Sequence, residues 1–395
     1  MARVVVVTGA NAGIGRAVAQ AFADDGWSVG ILARDADRLR SAEDDLRLRG
    51  AHVLSIAADV ADAEAVEAAA ARFEQELGPI DVWVNNAMAT VIGPARDITP
   101  EEFARVTEVN YLGYVHGTRA ALQRMAPRNA GSILHISSAL AFRPIPLQSA
   151  YCATKSAGVG FVDSLRTELA HDGVKVHLGT IYLPAVNTPQ PLWSRNKTGR
   201  AQQFPGEALD PRQVAQVVRF AADHPRREVW IGRTTLAMAI GQWLAPSLMD
   251  WYLGRKMWDA QLADRPPANP EGNLFAPVAG DFGIDGPARV GEPVEPSVPR
   301  HAIGRVVEEP ARSEDLAGIG LESGGALGGL EMDDAWQAGA TAASVARGPA
   351  AAEFWTSRQA GAARLALVGL ALIGAVSLVR GGAGRTGCAV RRNLP

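Results

Sequence analysis

Short runs of β-branched and other apolar residues alternate with longer amphipathic segments between residues 3 and 231. Runs of this kind predict strands that are buried on both faces, and the amphipathic segments predict helices. The predicted strands cover residues 3–8, 28–33, 52–58, 80–84, 132–136, 174–182 and 229–231. Because strands that alternate with helices pair in parallel, the pattern predicts an α/β fold, a doubly wound parallel sheet with helices on both faces.

The chain changes character after this first predicted domain, residues 1–232. Residues 233–286 are rich in Trp, Met and Leu, and they predict two short helices, broken at Pro246, that pack on the domain or shield a substrate entrance. A patch that lies on a membrane surface is the alternative. Residues 287–355 combine Pro, Gly, Ala and acidic residues without an apolar period, which predicts a disordered linker.

An apolar helix over residues 356–380 and a basic tail over residues 381–395 complete the predicted organisation. The uncharged part of this helix, residues 365–379, is shorter than the roughly 20 residues that span a bilayer. Extending the span toward its N-terminus admits Arg364, whose side chain can snorkel to the interface. We expect a membrane anchor, and a helix docked on a partner is the alternative.

Composition and charge narrow the class of protein. The formal net charge of −3 argues against a nucleic-acid partner. The two cysteines, Cys152 and Cys388, lie far apart in sequence, so they indicate neither a disulfide framework nor a metal site. The chain passes from Met1 directly into a predicted strand, without the apolar stretch of a signal peptide. We therefore expect a cytoplasmic catalytic domain that is membrane-anchored through its C-terminus.

A glycine-rich turn joins the first predicted strand to the first helix. In this context Gly9 allows the tight turn, Gly13 lets the backbone approach a pyrophosphate, and Gly15 permits close packing of helix on strand. The N-terminus of the helix supplies N–H groups and a favourable dipole for the phosphates. A purely structural turn is the alternative. The candidate cofactor-binding residues here are Thr8, Gly9, Asn11, Gly13, Ile14 and Gly15.

Polar residues after the next two strands suggest how the adenosine half of a cofactor is bound. Arg34 suits the 2′-phosphate of NADP, although Asp35 directly after it keeps NAD as an alternative, and so does a solvated arginine that opens the next helix. Asp59 can accept a hydrogen bond from the adenine amino group while Val60 packs on the ring. Alternatively, Asp59 caps the helix that starts near Asp62.

Tyr151 and Lys155 lie four residues apart on a predicted helix, so their side chains share one face. Ser138 follows the preceding predicted strand and can face the same cleft. A phenol, an ammonium and a hydroxyl can move a proton to or from an oxygen, and we expect the ammonium to lower the pKa of the phenol. The same spacing also occurs by chance in amphipathic helices.

Asn110 lies in the middle of a long predicted helix that a capping box of Thr99 and Glu102 opens. Asn is a poor former of helix interiors, so its presence there indicates either a functional role or a buried amide that bonds to nearby backbone.

Together these motifs resemble the short-chain dehydrogenase/reductase family over residues 2–232. The resemblance rests on Thr8-Gly9-x-x-x-Gly13-x-Gly15, Asn85-Asn86-Ala87, Asn110, Ser138, Tyr151-x-x-x-Lys155 and Pro184 with Thr188, in the family's order. It implies a Rossmann-like fold, a nicotinamide cofactor, and hydride transfer between that cofactor and an alcohol or carbonyl compound. It also implies a homo-oligomer.

The resemblance further implies a role for each catalytic residue. Tyr151 is the general acid/base, and Lys155 lowers its pKa while binding the nicotinamide ribose. Ser138 binds the reacting oxygen, Asn110 holds a water in a proton relay, and Thr188 contacts the carboxamide. The residues implied to bind the cofactor also include Asn86, Ala87, Tyr151, Lys155 and Pro184.

The chain departs from the family pattern where Met88, Ala141 and Ala185 replace glycines. Apolar residues on the loops beside the cleft predict an apolar substrate, with plain core packing as the alternative. They are Leu140, Phe142, Ile145, Leu147, Trp193 and Phe204.

The predicted function is an NADP-dependent oxidoreductase acting on a small apolar alcohol or carbonyl compound. The alternatives are a catalytically silent NADP-binding sensor or scaffold at a membrane, and a non-redox enzyme on the same fold.

Overall fold

A computed structural model of the protein describes residues 2–286 and 354–356, and ten strands lie within these ranges. They are β1 (Val4–Thr8), β2 (Ser28–Ala33), β3 (Val53–Ala57), β4 (Ile80–Asn85), β5 (Val91–Ile92), β6 (Ser132–Ser138), β7 (His177–Leu183), β8 (Arg195–Asn196), β9 (Glu228–Ile231) and β10 (Phe354–Thr356). The main sheet has the order β10-β9-β7-β6-β4-β1-β2-β3. All of its strands except the antiparallel β10 run parallel, so the predicted doubly wound α/β fold is confirmed.

Ten α-helices connect and follow these strands within the described ranges. They are α1 (Gly13–Asp24), α2 (Ala36–Leu48), α3 (Ala63–Leu77), α4 (Pro100–Thr107), α5 (Gly113–Met125), α6 (Ser149–His171), α7 (Gln190–Trp193), α8 (Pro211–Asp223), α9 (Arg233–Leu244) and α10 (Pro246–Ala260). Helix α1 packs on α2 and α8, whereas α3 packs on α5 and α4 packs on α6. Two helical layers therefore cover the sheet.

The centre of the sheet is an apolar core that leaves its carboxyl edge as the place for a site. Every residue of β1 and β2 is buried, which explains their β-branched and small apolar sequences. Strands β2 and β3 extend from β1 in one direction, and β4, β6, β7 and β9 extend in the other. The direction of winding therefore reverses between β1 and β4, and ligands of such sheets bind beside that point.

The strand predicted over residues 174–182 begins later than expected, at His177. The backbone explains the difference: Gly173 adopts a φ of +67° after helix α6, and the N–H of Val174 donates back to the carbonyl of Leu169 at 2.9 Å. Val174 therefore takes part in ending the helix rather than in starting the strand.

The long helix predicted around Asn110 is interrupted by one wide turn. Thr99 and Glu102 form the predicted capping box at the start of α4. Residues Glu108–Leu112 then form a π-helical turn before α5 continues the helix. Such single wide turns inside helices often occur at functional sites. Asn110 stands in the middle of this one, and its side chain is buried.

The C-terminal predictions are only partly within the described residues. Helices α9 and α10 meet at Pro246, as expected for two short helices. Phe354–Thr356, expected at the end of the linker and the start of an apolar helix, form strand β10 on the edge of β9. Aromatic and β-branched residues favour strands, and an open edge offers unpaired backbone groups.

The rest of the predicted linker, apolar helix and basic tail, residues 287–353 and 357–395, lies outside the described residues. In the described ranges no helix is long and apolar enough to cross a bilayer.

Candidate active site

The glycine turn after β1 forms a cradle in which added side chains would collide with backbone. Gly9 has a φ of +68°, and a Cβ there would lie 2.8 Å from the Cα of Ala87. A Cβ on Gly15 would lie 2.2 Å from the carbonyl oxygen of Gly9. Helix α1 starts at Gly13, and its N-cap, Ala12, has no polar side chain to satisfy the first turn. The residues present therefore fit a phosphate-bearing cofactor that lies against bare backbone.

Thr8 and Asn86 fix the backbone of this cradle with their side chains. The hydroxyl of Thr8 accepts from the N–H groups of Asn86 and Ala87 at 2.9 and 3.1 Å and donates to the carbonyl of Val84 at 3.3 Å. The side-chain amide of Asn86 donates to the carbonyls of Thr8 and Gly9 at 2.9 and 3.3 Å. The ends of β1 and β4 are thereby fixed to each other at the point where the sheet reverses.

The Asn110 side chain joins the loop after β4 to helix α6. Its amide oxygen accepts from the N–H of Ala89 at 2.7 Å, and its amide nitrogen donates to the carbonyl of Ala89 at 2.9 Å and to the hydroxyl of Thr154 at 3.2 Å. Both amide hydrogens are therefore engaged in holding two segments together. The implied role of Asn110 in holding a relay water stays a prediction.

Ser138, Tyr151 and Lys155 meet beside the cradle, as the spacing of the motif predicts. Ser138 ends β6, and its hydroxyl accepts from the N–H of Leu140 at 3.1 Å. Burial raises the pKa of the Tyr151 phenol, and a hydrogen bond with Ser138 opposes that rise. Lys155 is almost fully buried on the same face of α6, with its ammonium 5.6 Å from the centre of the Tyr151 ring.

The ammonium of Lys155 bonds to a residue that the sequence did not single out, Tyr114. Lys155 Nζ donates to the Tyr114 hydroxyl at 2.6 Å and to the carbonyl of Ile136 at 2.8 Å. Tyr114 is buried, and its own hydroxyl donates to that same carbonyl. A sequence feature that could have indicated Tyr114 is its position four residues after Asn110, about one helical turn further along.

Burial, not the neighbouring ammonium, has the largest influence on the Tyr151 phenol. We expected Lys155 to lower the pKa of Tyr151, but desolvation raises it. Desolvation also lowers the pKa of Lys155 to about 7. Tyr151 therefore keeps its proton at neutral pH, and it is suited to donate that proton to an oxygen.

At the end of the site that is predicted to bind adenosine, Arg34 is turned toward the chain's own C-terminal segment. Its guanidinium donates to the carbonyls of Asn273 at 2.6 Å and Leu274 at 3.3 Å, and it lies 3.7 Å from the Asp59 carboxylate. Burial lowers the pKa of Arg34, Asp59 opposes this effect, and the nearby charges of Arg105 and Arg38 add to it.

Asp59 does not cap the following helix, so that alternative is wrong. Asp62 caps α3, accepting from the N–H groups of Glu64 and Ala65 at 3.0 Å each. The Asp59 carboxylate instead accepts from the N–H of Ala61 at 3.0 Å and pairs with Arg105. Asp59 belongs to a charged cluster at the end of the cleft.

One cavity of about 700 Å³ runs from this cluster past the cradle to Tyr151. All but two of the predicted site residues line it. Those that line it are Gly9, Asn11, Gly13, Ile14, Gly15, Arg34, Asp59, Val60, Asn86, Ala87, Ser138, Tyr151, Lys155, Pro184 and Thr188. The other two, Thr8 and Asn110, lie behind the wall and hold it in place.

Four of the six apolar residues expected beside the cleft line the cavity, namely Leu140, Ile145, Trp193 and Phe204. The expectation is wrong for Phe142 and Leu147. Phe142 stacks on Trp230 at 4.6 Å between ring centres, and Leu147 is buried in a small apolar cluster. Met88 and Ala185, which replace family glycines, do line the cavity. Helices α9 and α10 add the lining residues Thr234, Thr235, Met238 and Met257, and Gln261, directly after α10, lines the cavity as well.

A doubly wound sheet with a glycine cradle at its reversal and a Ser–Tyr–Lys group beside it defines a nucleotide-binding oxidoreductase. The sequence model of the short chain dehydrogenase family matches residues 3–195. The chain is 32% identical over 270 residues to the uncharacterized oxidoreductase YxnA of Bacillus subtilis, covering 68% of this chain and 76% of the relative. The chain belongs to the short-chain dehydrogenase/reductase family and is an oxidoreductase of that family.

Solved structures agree with this assignment. The alcohol dehydrogenase of Thermococcus sibiricus, complexed with 5-hydroxy-NADP, is 28% identical and has a TM-score of 0.51, covering 58% of this chain and 96% of that one. A short-chain dehydrogenase from Streptomyces avermitilis is 26% identical with a TM-score of 0.54, covering 64% of this chain and 96% of that one.

Proposed function

We propose that the protein is an NADP-dependent oxidoreductase that transfers hydride between the nicotinamide and an apolar alcohol or carbonyl compound. The observation that carries the proposal is the single cavity that joins the glycine cradle to the Ser138, Tyr151 and Lys155 side chains. A cofactor in the cradle and a substrate at Tyr151 would therefore share one continuous space.

The cofactor half of the proposal is supported by the chemistry of the cavity wall. The bare backbone between Gly13 and Gly15 suits the pyrophosphate, and Arg34 stands at the end where a 2′-phosphate would bind. The relative from Thermococcus sibiricus, complexed with an NADP derivative, supports the same choice. When bound, the nicotinamide supplies or accepts the hydride.

The protein's own residues would manage the proton and the charge on oxygen. Tyr151, which keeps its proton because burial raises its pKa, would donate that proton to the carbonyl oxygen of a substrate. Ser138 would donate a hydrogen bond to the same oxygen, and the positive charge of Lys155 would stabilise the phenolate that forms.

An apolar substrate is supported by the side chains around Tyr151. Met88, Leu140 and Ile145 line the cavity that Tyr151 lines, and so do Met238 and Met257 from α9 and α10. Flexible methionines adapt to apolar ligands of different shape, so the cavity suits a medium-sized ketone or aldehyde more than a charged metabolite.

The test is NADPH oxidation against a panel of ketones, aldehydes and quinones, repeated with NADH. We expect turnover with NADPH that Tyr151→Phe lowers by about 10² to 10⁴ in kcat, because the proton donor is removed. The Kd of the variant for NADPH should stay within about threefold of the wild type, since the phenol hydroxyl is not part of the phosphate cradle. A variant that retains most of its kcat would contradict the assignment of Tyr151. Tight NADPH binding without turnover on any substrate would favour the silent sensor instead.

A further inference from the structure

Residues 272–286, here called the strap, cross the adenosine end of the cavity. The strap begins at Gly272, whose φ is +61° and where a Cβ would lie 2.4 Å from the backbone nitrogen of Arg195. The N–H of the next residue, Asn273, donates to the carbonyl of Trp193 at 2.8 Å. At its other end the N–H of Gly286 donates to the carbonyl of Asn187 at 3.1 Å. Both ends are therefore fixed to the segment between β7 and β8.

Three arginines at the adenosine end donate to carbonyl oxygens of the strap. Arg34 bonds to the carbonyl of Asn273 at 2.6 Å. Arg105 Nε donates to the carbonyl of Leu274 at 3.2 Å. Arg38 donates to the carbonyl of Val278, and its guanidinium lies over the rings of both Trp193 and Phe282, at 5.0 and 5.1 Å from their centres.

The middle of the strap is anchored by one carboxylate, Asp281. Arg16 donates to it at 2.8 and 3.1 Å, the hydroxyl of Ser41 donates at 2.5 Å, and the N–H of Gly283 donates at 3.0 Å. Burial alone would raise the pKa of Asp281, but these hydrogen bonds outweigh it and hold the pKa below its ordinary value. Arg16 is buried and also pairs with Asp45, so this anchor joins the strap to both α1 and α2.

The strap also touches the phosphate cradle directly. The carbonyl of Gly283 accepts from the N–H of Gly13, the first residue of α1, at 3.0 Å. Apolar side chains also hold the strap, because Leu274 and Ile284 are buried and Phe282 packs edge-on against Trp193 at 4.7 Å between ring centres.

The strap covers the cavity but does not fill it. Asn273 and Pro277 line the same cavity as Arg34, Asp35 and Arg38, so open space remains beneath the strap at the adenosine end. We propose that the strap closes over the adenosine half of the bound cofactor and must open for the cofactor to enter or leave. This inference rests on the proposed function, since it takes the occupant of the cavity to be a nicotinamide dinucleotide.

The contacts determine what opening would involve. Lifting the strap breaks the Asp281 anchor, the carbonyl contacts of the three arginines and the bond from Gly13, while the arginines stay behind on the domain. Entry and release of the cofactor should therefore both be limited by opening of the strap.

The first test is Asp281→Ala, which removes the central anchor but leaves Arg16 paired with Asp45. Stopped-flow fluorescence with NADPH, repeated with NADH, should show association and dissociation rate constants that both rise at least fivefold, with Kd changing less than either. Glu76→Ala, which removes the exposed pair with Arg72 on α3, is the matched control and should leave both rate constants unchanged. A strap that merely plugs the site would instead give tighter binding with an unchanged dissociation rate constant, and that result would overturn the proposal.

The second test locks the strap with Ser41→Cys and Asp281→Cys, at two side chains that are in hydrogen-bond contact. The oxidised protein should exchange NADPH at least tenfold more slowly than the reduced protein, and dithiothreitol should restore rapid exchange. Equal rates in a protein shown to carry the disulfide would overturn the proposal. The readout is binding, so it does not depend on a substrate. Failure of the strap to affect exchange is therefore distinct from failure of the protein to oxidise NADPH, whereas a protein that binds neither nucleotide overturns both proposals.

Discussion

The buried ammonium of Lys155 depends on two oxygen acceptors that come from outside the family motif. One is the backbone carbonyl of Ile136 and the other is the hydroxyl of Tyr114. A backbone carbonyl cannot be removed by substitution, but the hydroxyl can. Tyr114 is thus a positioning residue whose effect on Lys155 can be measured separately from packing of its ring.

Tyr114→Phe should make the charged form of Lys155 less stable. The pKa of Lys155 is already lowered to about 7 by burial, so its charge is lost as the pH rises through neutrality. Losing one acceptor of a charged hydrogen bond costs about 1.5 kcal/mol, which corresponds to a further fall of about one pH unit. The kcat/KM for NADPH, which reports the enzyme without cofactor, should decline with rising pH, and the decline should begin about one pH unit lower in the variant.

Tyr111→Phe is the control for that experiment. Tyr111 lies three residues earlier and packs its ring edge-on against Phe161, at 6.3 Å between ring centres. Its variant should keep the wild-type pH profile. If Tyr114→Phe also keeps that profile while its thermal stability falls, Tyr114 supports only the packing of the core.

At this scale the sequence predicted which side chains meet beside the cradle, but not the partners of Lys155 and Arg34. Ser138, Tyr151 and Lys155 were predictable because a four-residue spacing on a helix leaves little freedom in where the side chains point. The partners of Arg34 were not predictable, because they are carbonyl oxygens of the strap. Every residue carries such an oxygen, so no sequence pattern marks the ones that a distant arginine will contact.

Among the elements, the turn from β1 into α1 is the one whose shape the cofactor site depends on most. Gly15 and Gly160 are both helical glycines, but they differ in what a methyl group would meet. At Gly15 it would lie 2.2 Å from the carbonyl oxygen of Gly9 and 2.5 Å from the Asn86 amide nitrogen, whereas at Gly160 nothing lies within 4 Å.

Substitution by alanine should therefore have opposite effects at these two glycines. Gly160→Ala should raise the free energy of unfolding by about 0.5–1 kcal/mol, because the exposed helix interior gains propensity without a clash. Gly15→Ala should lower the free energy of unfolding by at least about 1 kcal/mol, because the cradle must shift. Urea unfolding measures the stability of both, and NADPH titration should show at least a tenfold loss of affinity for Gly15→Ala alone. An unchanged Kd in that variant would contradict the placement of the cofactor in the cradle.

Helices and strands were predictable wherever local periodicity decided them, and less so where tertiary contacts did. The helix around Asn110 was expected, but its wide turn was not, because the amide bonds to Ala89 and Thr154 that accompany it come from distant segments. Strands β5 and β8 have two residues each, which is too short for a pattern to show. They exist because Val91 and Arg195 become neighbours in the folded chain.

Across the whole described molecule, Glu102 connects the N-terminal part of the fold to the segment that carries the strap. Its carboxylate accepts from Arg195 and Lys197 at 2.8 Å each while it completes the capping box of α4. The segment that contains Arg195 and Lys197 also binds the chain just before the strap, since the N–H of Asn196 donates to the carbonyl of Pro270 at 2.9 Å. The C-terminal residues were expected to pack on the domain, but a charged network as the means of attachment could not be read from residues that are almost 100 positions apart.

Glu102→Gln should weaken this attachment in a pH-dependent way. The side chain of Glu102 is only 3% exposed, so breaking its two charged contacts should cost about 2 kcal/mol of unfolding free energy at pH 7. Burial would raise the pKa of Glu102, but hydrogen bonds from Lys197, Thr99 and Arg195 outweigh it and hold the pKa below the ordinary 4.5. A carboxylate with a lowered pKa stabilises the fold above its unfolded-state pKa and loses that contribution as the pH falls through its folded-state pKa.

The stability difference between wild type and Glu102→Gln should therefore be constant above about pH 5 and shrink as the pH falls below the ordinary pKa of a glutamate. Urea unfolding at a series of pH values measures it. Glu76→Gln, which alters only the exposed pair with Arg72, should differ from wild type by less than about 0.5 kcal/mol at every pH. The chain just before the strap is bonded to Asn196, which lies between Arg195 and Lys197. Losing the contacts of Glu102 should therefore also speed NADPH release in Glu102→Gln. A variant as stable as the wild type at pH 7 would mean that water stabilises the charges of Arg195 and Lys197 as well as the Glu102 carboxylate does.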